Sequence, residues 1–483
     1  MTPDEFRHHG HALIDWIADY RERLGRGEFP VLPRREVGAL AASLPTAPPV
    51  KPEAFESIAA DLEQLILPAC GHFQSPDFYG YFPSNGLLAS VLGDLASTGL
   101  GQLGLNWQSS PALTELEQRV CDWLRQMTGL DSGWQGVIQD TASTATLVAL
   151  ISAREQATHY AAARGGLQSV ARQLVIYVSA QAHSSVDKAA LLAGFGREQL
   201  RVIATDELFA LRADALASAI AADLAAGRQP CAIVATVGTT ATTAIDPVAD
   251  CARLAREHGL WLHVDAALAG SAMILPECRA WWAGIDAADS LVVNPHKWLG
   301  AAFDCCVYFV RDPLHLVRVM STNPSYLQTA ADGAAPNYRD WGIPLGRRMR
   351  ALKLWFLIRE QGVSGLQVRL RRDLDNAQWF AAQVDSPVAQ AAGWQRLAPV
   401  PLQTIVVRHV PRDKSGAVLT DSALDAHTLS WVRSINESGK AYLTPTLLNG
   451  RWVVRVSIGS ALTEREHVAK LWALMGATAE SHQ

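Results

Sequence analysis

The stretch WLHVDAALA occupies residues 261–269 and indicates the fold class. Trp261–Val264 form a short, mostly apolar run, and the carboxylate of Asp265 follows directly. Runs of this length and composition are typical of strands that helices bury on both faces, as in a mainly parallel sheet. The stretch therefore predicts a buried strand that ends at an acidic side chain.

Similar apolar runs lie on both sides of this stretch, between about residues 86 and 360. They are Leu174–Val178, Val202–Ala204, Ala232–Thr236, Leu291–Val293 and Val307–Val310. Helical stretches such as Thr141–Arg164 and Ala249–Glu257 separate them. The alternation predicts a doubly wound α/β domain with a mainly parallel sheet.

The chain outside this domain divides into two further segments. Residues 1–85 read as amphipathic helices around a proline-rich connector, and we expect their apolar face to dock on another subunit. Residues 361–483 read as a small α/β domain. Its predicted elements are a helix over Leu366–Gln383, strands over Thr404–Val407 and Trp452–Ser457, and a last helix over Glu464–Leu474. The predicted domains are thus 1–85, 86–360 and 361–483.

Composition excludes several classes of protein. A net charge of -5 over 483 residues argues against nucleic acid as the main partner. The basic run Arg369, Arg371 and Arg372 is interpreted as a solvated helix face. No apolar stretch reaches the roughly 18 residues that a membrane span needs. The seven scattered cysteines fit neither a disulfide framework nor a metal site, so we expect a reduced, cytoplasmic protein.

Reactive side chains follow four of the predicted strands. Ligands of open α/β sheets bind at the carboxyl ends of the strands. The residues at these positions are His183, Gly238-Thr239-Thr240, Asp265-Ala266-Ala267 and Asn294-Pro295-His296-Lys297. A single such residue is usually a surface group or a helix cap, but four strand ends carrying them together indicate a site.

A lysine and an aspartate at such an edge suit pyridoxal phosphate. The lysine forms a Schiff base with the cofactor aldehyde, and the carboxylate keeps the ring nitrogen protonated. The segment Gln139-Asp140-Thr141-Ala142-Ser143-Thr144 precedes a predicted helix, where hydroxyls and free N–H groups can hold a phosphate. Lys297, Asp265 and this helix start therefore predict the three attachment points of the cofactor.

The motifs also resemble a known family. The pair His263-Val264-Asp265-Ala266-Ala267 and Asn294-Pro295-His296-Lys297-Trp298 is similar to the group II pyridoxal-phosphate decarboxylases of fold type I, most of all the aromatic-L-amino-acid decarboxylases. Further segments match in family order: Tyr81-Phe82-Pro83, residues 110–117, Gln181–Ser185 and residues 343–348. The resemblance covers nearly the whole chain. It implies decarboxylation of aromatic L-amino acids by a homodimer with shared active sites.

The resemblance implies a role for each matching cofactor residue. Lys297 would bind the cofactor covalently, Asp265 would pair with its ring nitrogen, and His183 would stack on the ring and hold the substrate carboxylate. Ala267 would pack on the other face of the ring, and Thr240 would lie beside its phenolic oxygen or the substrate. The expected phosphate ligands are Thr141, Ala142, Ser143, Asn294 and His296.

The resemblance also implies a substrate pocket and a proton donor. The pocket residues would be Tyr81, Phe82, Pro83 and Ser84, with Gly459 leaving room for an indole and with Leu105 and Trp107 arriving from the partner subunit. Tyr338 would lie on a mobile loop between about Ser321 and Pro344 and protonate the substrate carbon after carbon dioxide leaves. The alternative for Tyr338 is a packing aromatic.

Two positions depart from the family pattern, and three other functions stay open. Leu268 stands where many relatives carry an aromatic residue, and Asp140 stands where many carry glycine. An aldehyde synthase is the first alternative, although relatives with that activity often have phenylalanine in place of Tyr338. The others are a decarboxylase of histidine, glutamate or diaminobutyrate, and a non-catalytic scaffold of the same fold.

Overall fold

A computed structural model describes residues 1–322, 325–327, 329, 331–412, 416 and 419–482. It consists of two compact units. The large unit comprises Ser84–Leu374 and Ala398–Thr404, and the small unit comprises Met1–Pro83, Asp375–Leu397 and Ile405–Gln483. These two compact units do not test the predicted domains 1–85, 86–360 and 361–483, which stay a prediction.

The large unit is built on a seven-stranded sheet. Its strands are β1 (Gln135–Gln139), β2 (Leu174–Ser179), β3 (Leu200–Ile203), β4 (Gln229–Thr236), β5 (Trp261–Asp265), β6 (Ser290–Val293) and β7 (Cys306–Val310). Their order across the sheet is β1-β7-β6-β5-β4-β2-β3. Only β7 runs against its neighbours, so the predicted mainly parallel α/β sheet is confirmed.

Fourteen α-helices complete the described part of the chain. They are α1 (Pro3–Gly25), α2 (Ala39–Ser43), α3 (Phe55–Asp61), α4 (Leu88–Leu100), α5 (Pro111–Thr128), α6 (Ala142–Ala157), α7 (Ser185–Leu192), α8 (Ala213–Ala225), α9 (Val248–His258), α10 (Pro313–Met320), α11 (Ala351–Val384), α12 (Pro387–Ala391), α13 (Asp421–Ser438) and α14 (Arg465–Ser481). None of these helices has the length and apolar character that a bilayer crossing requires.

Helix α6 covers one face of the sheet and contacts β4, β5, β6 and β7. Its buried face is made of small side chains such as Ala145 and Ala149, which let the helix lie close to the strands. The helix begins at Ala142, directly after β1 and the turn at Asp140 and Thr141. Its positive N-terminal end therefore lies where β1 ends.

The small unit holds a second sheet together with the N-terminal segment. The strands are β8 (Trp394–Arg396), β9 (Thr404–His409), β10 (Thr444–Leu448) and β11 (Arg451–Ser457), in the order β10-β11-β9-β8. The N-terminal segment joins this unit by backbone hydrogen bonds, such as Val31 N to Gly439 O at 2.8 Å and Ser457 N to Tyr79 O at 3.0 Å.

Several predicted boundaries were wrong, and three strands were missed. Strand Val202–Ala204 is Leu200–Ile203, helix Thr141–Arg164 is Ala142–Ala157, helix Leu366–Gln383 is part of Ala351–Val384, and helix Glu464–Leu474 is Arg465–Ser481. Strand β1 was missed because Gln135, Gly136 and Gln139 interrupt its apolar character. The long α11 contains a break at Gly362, where φ is 61°. Left-handed backbone of this kind favours glycine.

Candidate active site

Strand register brings the predicted reactive residues to one edge of the sheet. Asp265 ends β5 and pairs with Thr236 of β4 and Val292 of β6. Beyond the strands, Asn294 N donates to Ala267 O at 3.1 Å. Asp265 and Asn294 therefore lie side by side at the carboxyl edge, as the sequence predicted.

Asp265 is buried, and its carboxylate is oriented by the backbone. Its Oδ1 accepts a hydrogen bond from Ala267 N at 3.0 Å, and only 6% of the residue is exposed. Lys297 lies in the single turn Pro295–Leu299 after β6, half-buried, with ψ at -106°. The backbone at Lys297 is not helical, and the chain changes direction sharply at this residue.

His183 lies between β2 and α7 and is electrostatically linked to both groups. Ser185 N donates to His183 Nδ1 at 3.1 Å, so the neutral imidazole carries its proton on Nε2. Burial lowers the pKa of His183, the charge of Asp265 raises it, and the charge of Lys297 lowers it. The three residues thus lie within electrostatic range, and His183 presents an N–H donor.

Asn294 and His296, which directly precede the lysine in the chain, supply further polar atoms. Cys305 N donates to His296 Nδ1 at 3.0 Å, which places the proton of the neutral ring on Nε2. Burial, followed by the charge of Lys297, lowers the pKa of His296 to about 4. Asn294 Oδ1 is buried and has no hydrogen-bond partner among the described residues. Both side chains have hydrogen-bonding capacity that a ligand could use.

The start of α6 has the features of a phosphate site. Thr141 is the N-cap, and its side chain makes no capping hydrogen bond, so the first N–H groups of the helix are available. Ala142 is buried, and Ser143 is exposed. These observations fit the phosphate of pyridoxal phosphate, since a helix N-terminus with hydroxyls attracts an anion.

The unusual Asp140 has a hydrogen-bond donor and an arginine nearby. Its Oδ1 accepts a hydrogen bond from Thr141 N at 2.6 Å. Although burial opposes the shift, hydrogen bonds with Asp304 and the charge of Asp140 raise the pKa of Arg350. Arg350 in turn forms a two-point ion pair with Asp304, with contacts of 2.9 and 3.1 Å. Nearby positive charge therefore offsets the carboxylate. Leu268, the other departure, is buried.

Thr240 and Ala267 lie where the strands β4 and β5 end. Thr240 is half-buried in a tight loop in which Thr239 N donates to Ala244 O at 3.0 Å. Asp246 closes the base of the loop, since it accepts from Thr236 N and Leu211 N, each at 2.8 Å. The loop is thereby fixed to the edge that carries Asp265.

One prediction was wrong: Arg369 is buried rather than solvated. Its Nη2 donates to Trp298 O and Leu299 O at 2.7 and 2.6 Å, which fastens the turn after Lys297. One helical turn further along α11, Asp373 accepts from Trp298 Nε1 at 2.8 Å. The spacing of four residues between Arg369 and Asp373 was the available sequence signal for one shared helix face.

The predicted substrate residues fall into both units. In the small unit, Tyr442 Oη donates to Tyr81 Oη at 3.0 Å, and the Arg455 guanidinium lies 4.9 Å from the Phe82 ring centre. Pro83 and Gly459 of that unit are buried. In the large unit, Ser84, Leu105 and Trp107 are half-buried, and Trp107 N donates to Asn337 Oδ1 at 3.0 Å.

Tyr338 is not at the carboxyl edge. It is buried, and its hydroxyl donates to Gly136 O at 3.4 Å. Gly136 lies three residues before the end of β1, which corresponds to about 10 Å along the strand. The ring packs against Trp341 and lies 5.1 Å from the Arg347 guanidinium. In this conformation the tyrosine packs as an aromatic side chain, and its role as a proton donor stays a prediction. Of the loop that contains it, residues 323, 324, 328 and 330 lie outside the described residues.

Comparison with known proteins places these observations in a family. The model of the pyridoxal-dependent decarboxylase conserved domain matches residues 38–389. The chain is 40% identical to tryptophan decarboxylase TDC2 of Camptotheca acuminata over 98% of this chain and 94% of the relative. It is 38% identical to phenylacetaldehyde synthase of Arabidopsis thaliana over 98% and 96%.

Among solved structures, Oryza sativa TDC with PLP and tryptamine is similar over 100% of this chain and 99% of that one, with a TM-score of 0.94 and 35% identity. The edge that gathers Lys297, Asp265 and His183 has the polar groups that such a cofactor needs. The family match spans most of the chain, including that edge. The protein belongs to the family of pyridoxal-dependent decarboxylases.

Proposed function

We propose that the protein removes the carboxylate of aromatic L-amino acids and releases the corresponding amine and carbon dioxide. The observation that carries the proposal is that strand register places Asp265 beside Asn294 at the sheet edge from which the chain continues to Lys297. The similarity to tryptophan decarboxylase TDC2 and to tyrosine decarboxylase of Papaver somniferum supports an aromatic substrate.

A distinct task is proposed for each of Lys297, Asp265 and His183. Pyridoxal phosphate, when bound, supplies a ring that accepts the electron pair of the bond that breaks. Lys297 holds the cofactor covalently, and Asp265 holds a proton on its ring nitrogen. His183 donates its Nε2–H to the substrate carboxylate and orients that group perpendicular to the ring. This orientation selects loss of the carboxylate over transfer of the amino group.

The remaining predicted residues complete the proposed site. Thr141, Ala142, Ser143, Asn294 and His296 bind the phosphate, while Ala267 and Thr240 contact the ring. Tyr81, Phe82, Pro83, Ser84 and Gly459 bind the substrate side chain, together with Leu105 and Trp107 of the partner subunit. Tyr338 donates the proton that replaces the carboxylate. It must leave the contact with Gly136 O to do so.

The experiment is a comparison of substrates with both products measured. Catalytic efficiency is determined on tyrosine, 3,4-dihydroxyphenylalanine, tryptophan and 5-hydroxytryptophan, with histidine, glutamate and diaminobutyrate as controls. Amine, aldehyde and carbon dioxide are quantified in each reaction. We expect amine from at least one aromatic substrate and none from the controls. Turnover of a control substrate alone would contradict the proposal.

An aldehyde synthase is the second candidate, because the chain is also 38% identical to a phenylacetaldehyde synthase. That enzyme class would release aldehyde, ammonia and peroxide and consume dioxygen. The presence of Tyr338 favours the decarboxylase. Aldehyde as the main product of the unmodified protein would decide for the synthase.

We further propose a homodimer, and the exposed apolar surface of α4 supports it. Leu88, Leu92 and Leu95 follow helical spacing, and each is about half exposed. An apolar stripe of this kind on a helix is typical of a protein interface. A second copy is the occupant we propose, since most soluble oligomers are symmetric homo-oligomers.

The double variant L92E/L95E should shift sedimentation from dimer to monomer and remove activity. Val388→Glu, a similar change at an isolated exposed residue of α12, is the control and should keep the dimer. An active monomer would contradict shared active sites. A cytoplasmic location also stays a proposal, and the seven unpaired cysteines support it.

A further inference from the structure

His263 is fully buried in β5, two residues before Asp265, and one of its ring nitrogens is unused. Its Nδ1 lies 2.9 Å from Ser290 Oγ, which also accepts a hydrogen bond from Trp261 Nε1 at 2.8 Å. Its Nε2 has no hydrogen-bond partner among the described residues. The predicted cofactor contacts do not include this histidine.

The unused nitrogen lies on the same side of the sheet as Asp265. Side chains two residues apart on a strand point to the same face, so Trp261, His263 and Asp265 share one face. The Trp261 ring lies 5.4 Å from the ring of His315, whose Nε2 bonds to Ser152 O on α6. The shared face is therefore the one that α6 covers, and the start of α6 is the phosphate site.

A second unused polar atom lies beside Asp265. Thr236 is the register partner of Asp265 on β4, and its Oγ1 is likewise buried without a hydrogen-bond partner in the described part of the chain. Buried polar atoms are seldom left unpaired, and a buried water commonly satisfies three of them at once. His263 Nε2, Thr236 Oγ1 and the Asp265 carboxylate offer one such set.

The hydrogen bonds of Ser290 are compatible with a proton on Nε2 of His263, since Ser290 Oγ already accepts from Trp261 Nε1. Burial lowers the pKa of His263 to about 4, while the charge of Asp265 and a hydrogen bond with the backbone of Ser290 act in the opposite direction. The ring is therefore neutral near pH 7 and carries one proton. A proton on Nε2 makes the nitrogen without a partner a hydrogen-bond donor, whereas a proton on Nδ1 would leave a lone pair on that nitrogen. The hydroxyl of Ser290 can then donate to Nδ1.

We propose that His263 is a positioning residue for Asp265. The neutral ring donates its Nε2–H to the Asp265 carboxylate through one buried water that Thr236 also holds. The hydrogen bond stabilises the negative charge and fixes the carboxylate opposite the ring nitrogen of the cofactor. The inference rests on the proposed role of Asp265 and adds a second residue behind it.

The first test determines the tautomer in the unmodified protein, and one variant serves to assign its signal. Proton–nitrogen correlation NMR with ¹⁵N-histidine identifies the tautomer of His263 in the apoprotein. The signal is assigned by its loss in His263→Gln. We expect the proton on Nε2 and a slowly exchanging N–H resonance. A proton on Nδ1 would overturn the proposal.

The second test compares three variants after reconstitution with ¹⁵N-labelled pyridoxal phosphate. His263→Leu removes the donor, and His263→Gln keeps an N–H at a similar distance. His315→Leu is the matched control. It removes another buried imidazole that packs on the same face of the sheet but has no Asp265 beside it. The ring-nitrogen shift, kcat and KM are measured for each.

We expect His263→Leu to move the ring-nitrogen resonance toward the unprotonated position. It should also lower kcat about 10- to 100-fold with little change in KM, as for loss of a hydrogen bond to a charged group. His263→Gln should recover most of kcat, and His315→Leu should leave the resonance in place. An unchanged resonance and kcat in His263→Leu would overturn the proposal, as would equal effects of His263→Leu and His315→Leu.

Asp265→Asn separates this inference from the proposed function. If Asp265→Asn shifts the ring-nitrogen resonance and His263→Leu does not, His263 has no positioning role while the assignment of Asp265 stands. If Asp265→Asn itself leaves the resonance unchanged, the assignment of Asp265 fails, and the inference about His263 fails with it.

Discussion

The carboxyl edge of the large sheet and the segment around Tyr338 place their reactive side chains in different ways. At the edge, Asp265 is held by strand pairing on both sides and by a hydrogen bond from the next turn. Tyr338 is held by an aromatic contact, a cation–π contact and one long hydrogen bond at 3.4 Å.

The difference shows which groups are prepared for chemistry and which must be delivered. A side chain fixed by a strand can be oriented in advance, which is what stabilisation of charge requires. A side chain on a connecting segment can approach and withdraw, which suits a proton donor that acts after the carboxylate has left. Four predictions test this contrast, in order of decreasing effect on turnover.

Lys297→Ala should have the largest effect. Loss of the amine removes the covalent attachment, and turnover should fall by at least about 1,000-fold, as when a covalent catalytic residue is removed. Loss of the visible absorbance of the bound cofactor and intact far-ultraviolet circular dichroism would accompany it. Lys188→Ala, at an exposed lysine of α7, is the control and should keep parent activity.

Asp265→Asn should lower kcat about 100-fold or more while the protein still binds pyridoxal phosphate, because a neutral amide cannot hold the ring-nitrogen proton equally well. Cofactor affinity and kcat are measured on the same preparation. Asp289→Asn is the control, since Asp289 accepts a hydrogen bond from Leu262 N at 2.7 Å at the opposite end of β5. A parent-like rate in Asp265→Asn would show that this edge is not where charge is stabilised.

Tyr338→Phe should change the product more than it changes substrate consumption. Without the phenol, protonation of the substrate carbon should slow by about 100-fold, within the range for loss of a general acid. Dioxygen then oxidises that electron-rich carbon, and aldehyde, ammonia and peroxide replace the amine. Amine, aldehyde and dissolved oxygen are followed together, with Tyr160→Phe as control. Amine formation at the parent rate would leave Tyr338 as a packing residue and remove the contrast.

The sequence predicted the first region well and the second poorly, for physical reasons. Parallel strands end at a common edge, so apolar runs followed by Asp265 and Asn294 sufficed to place these residues together. No comparable rule fixes the position of Tyr338, because its segment has no register with the sheet. The apolar pattern also concealed β1, whose glutamines and glycine break the run, and it did not reveal that Arg369 lies against the turn after Lys297.

Acid should destabilise the apoprotein through two buried histidines of the large unit, and this last prediction concerns stability and leaves turnover at neutral pH unchanged. Burial lowers the pKa of His263 and of His296 to about 4, below the value of about 6.5 expected in the unfolded chain. The unfolded state therefore binds more protons between these values, and the free energy of unfolding falls as pH drops from about 6.5 to 4. Below that window, each histidine lowers the free energy of unfolding by up to about 3 kcal/mol.

Urea unfolding of the apoprotein from pH 8 to pH 4 measures this dependence. His296→Asn should reduce the fall of the free energy of unfolding between pH 8 and pH 4 by the contribution of one histidine. His258→Gln, at an exposed histidine, should not change that fall. If His296→Asn leaves the pH dependence of the free energy of unfolding unchanged, other groups account for the acid sensitivity.

The contact of Arg369 and Asp373 with the turn after Lys297 has a consequence for redesign of the enzyme. Arg369 donates to the backbone of that turn, and Asp373 accepts a hydrogen bond from its indole. The two residues therefore position the backbone of the lysine without contacting any reactant. Libraries that vary the pocket for new substrates should leave positions 369 and 373 constant. A neutral replacement there would loosen the anchorage of the cofactor and would be misread as a failure of the new pocket.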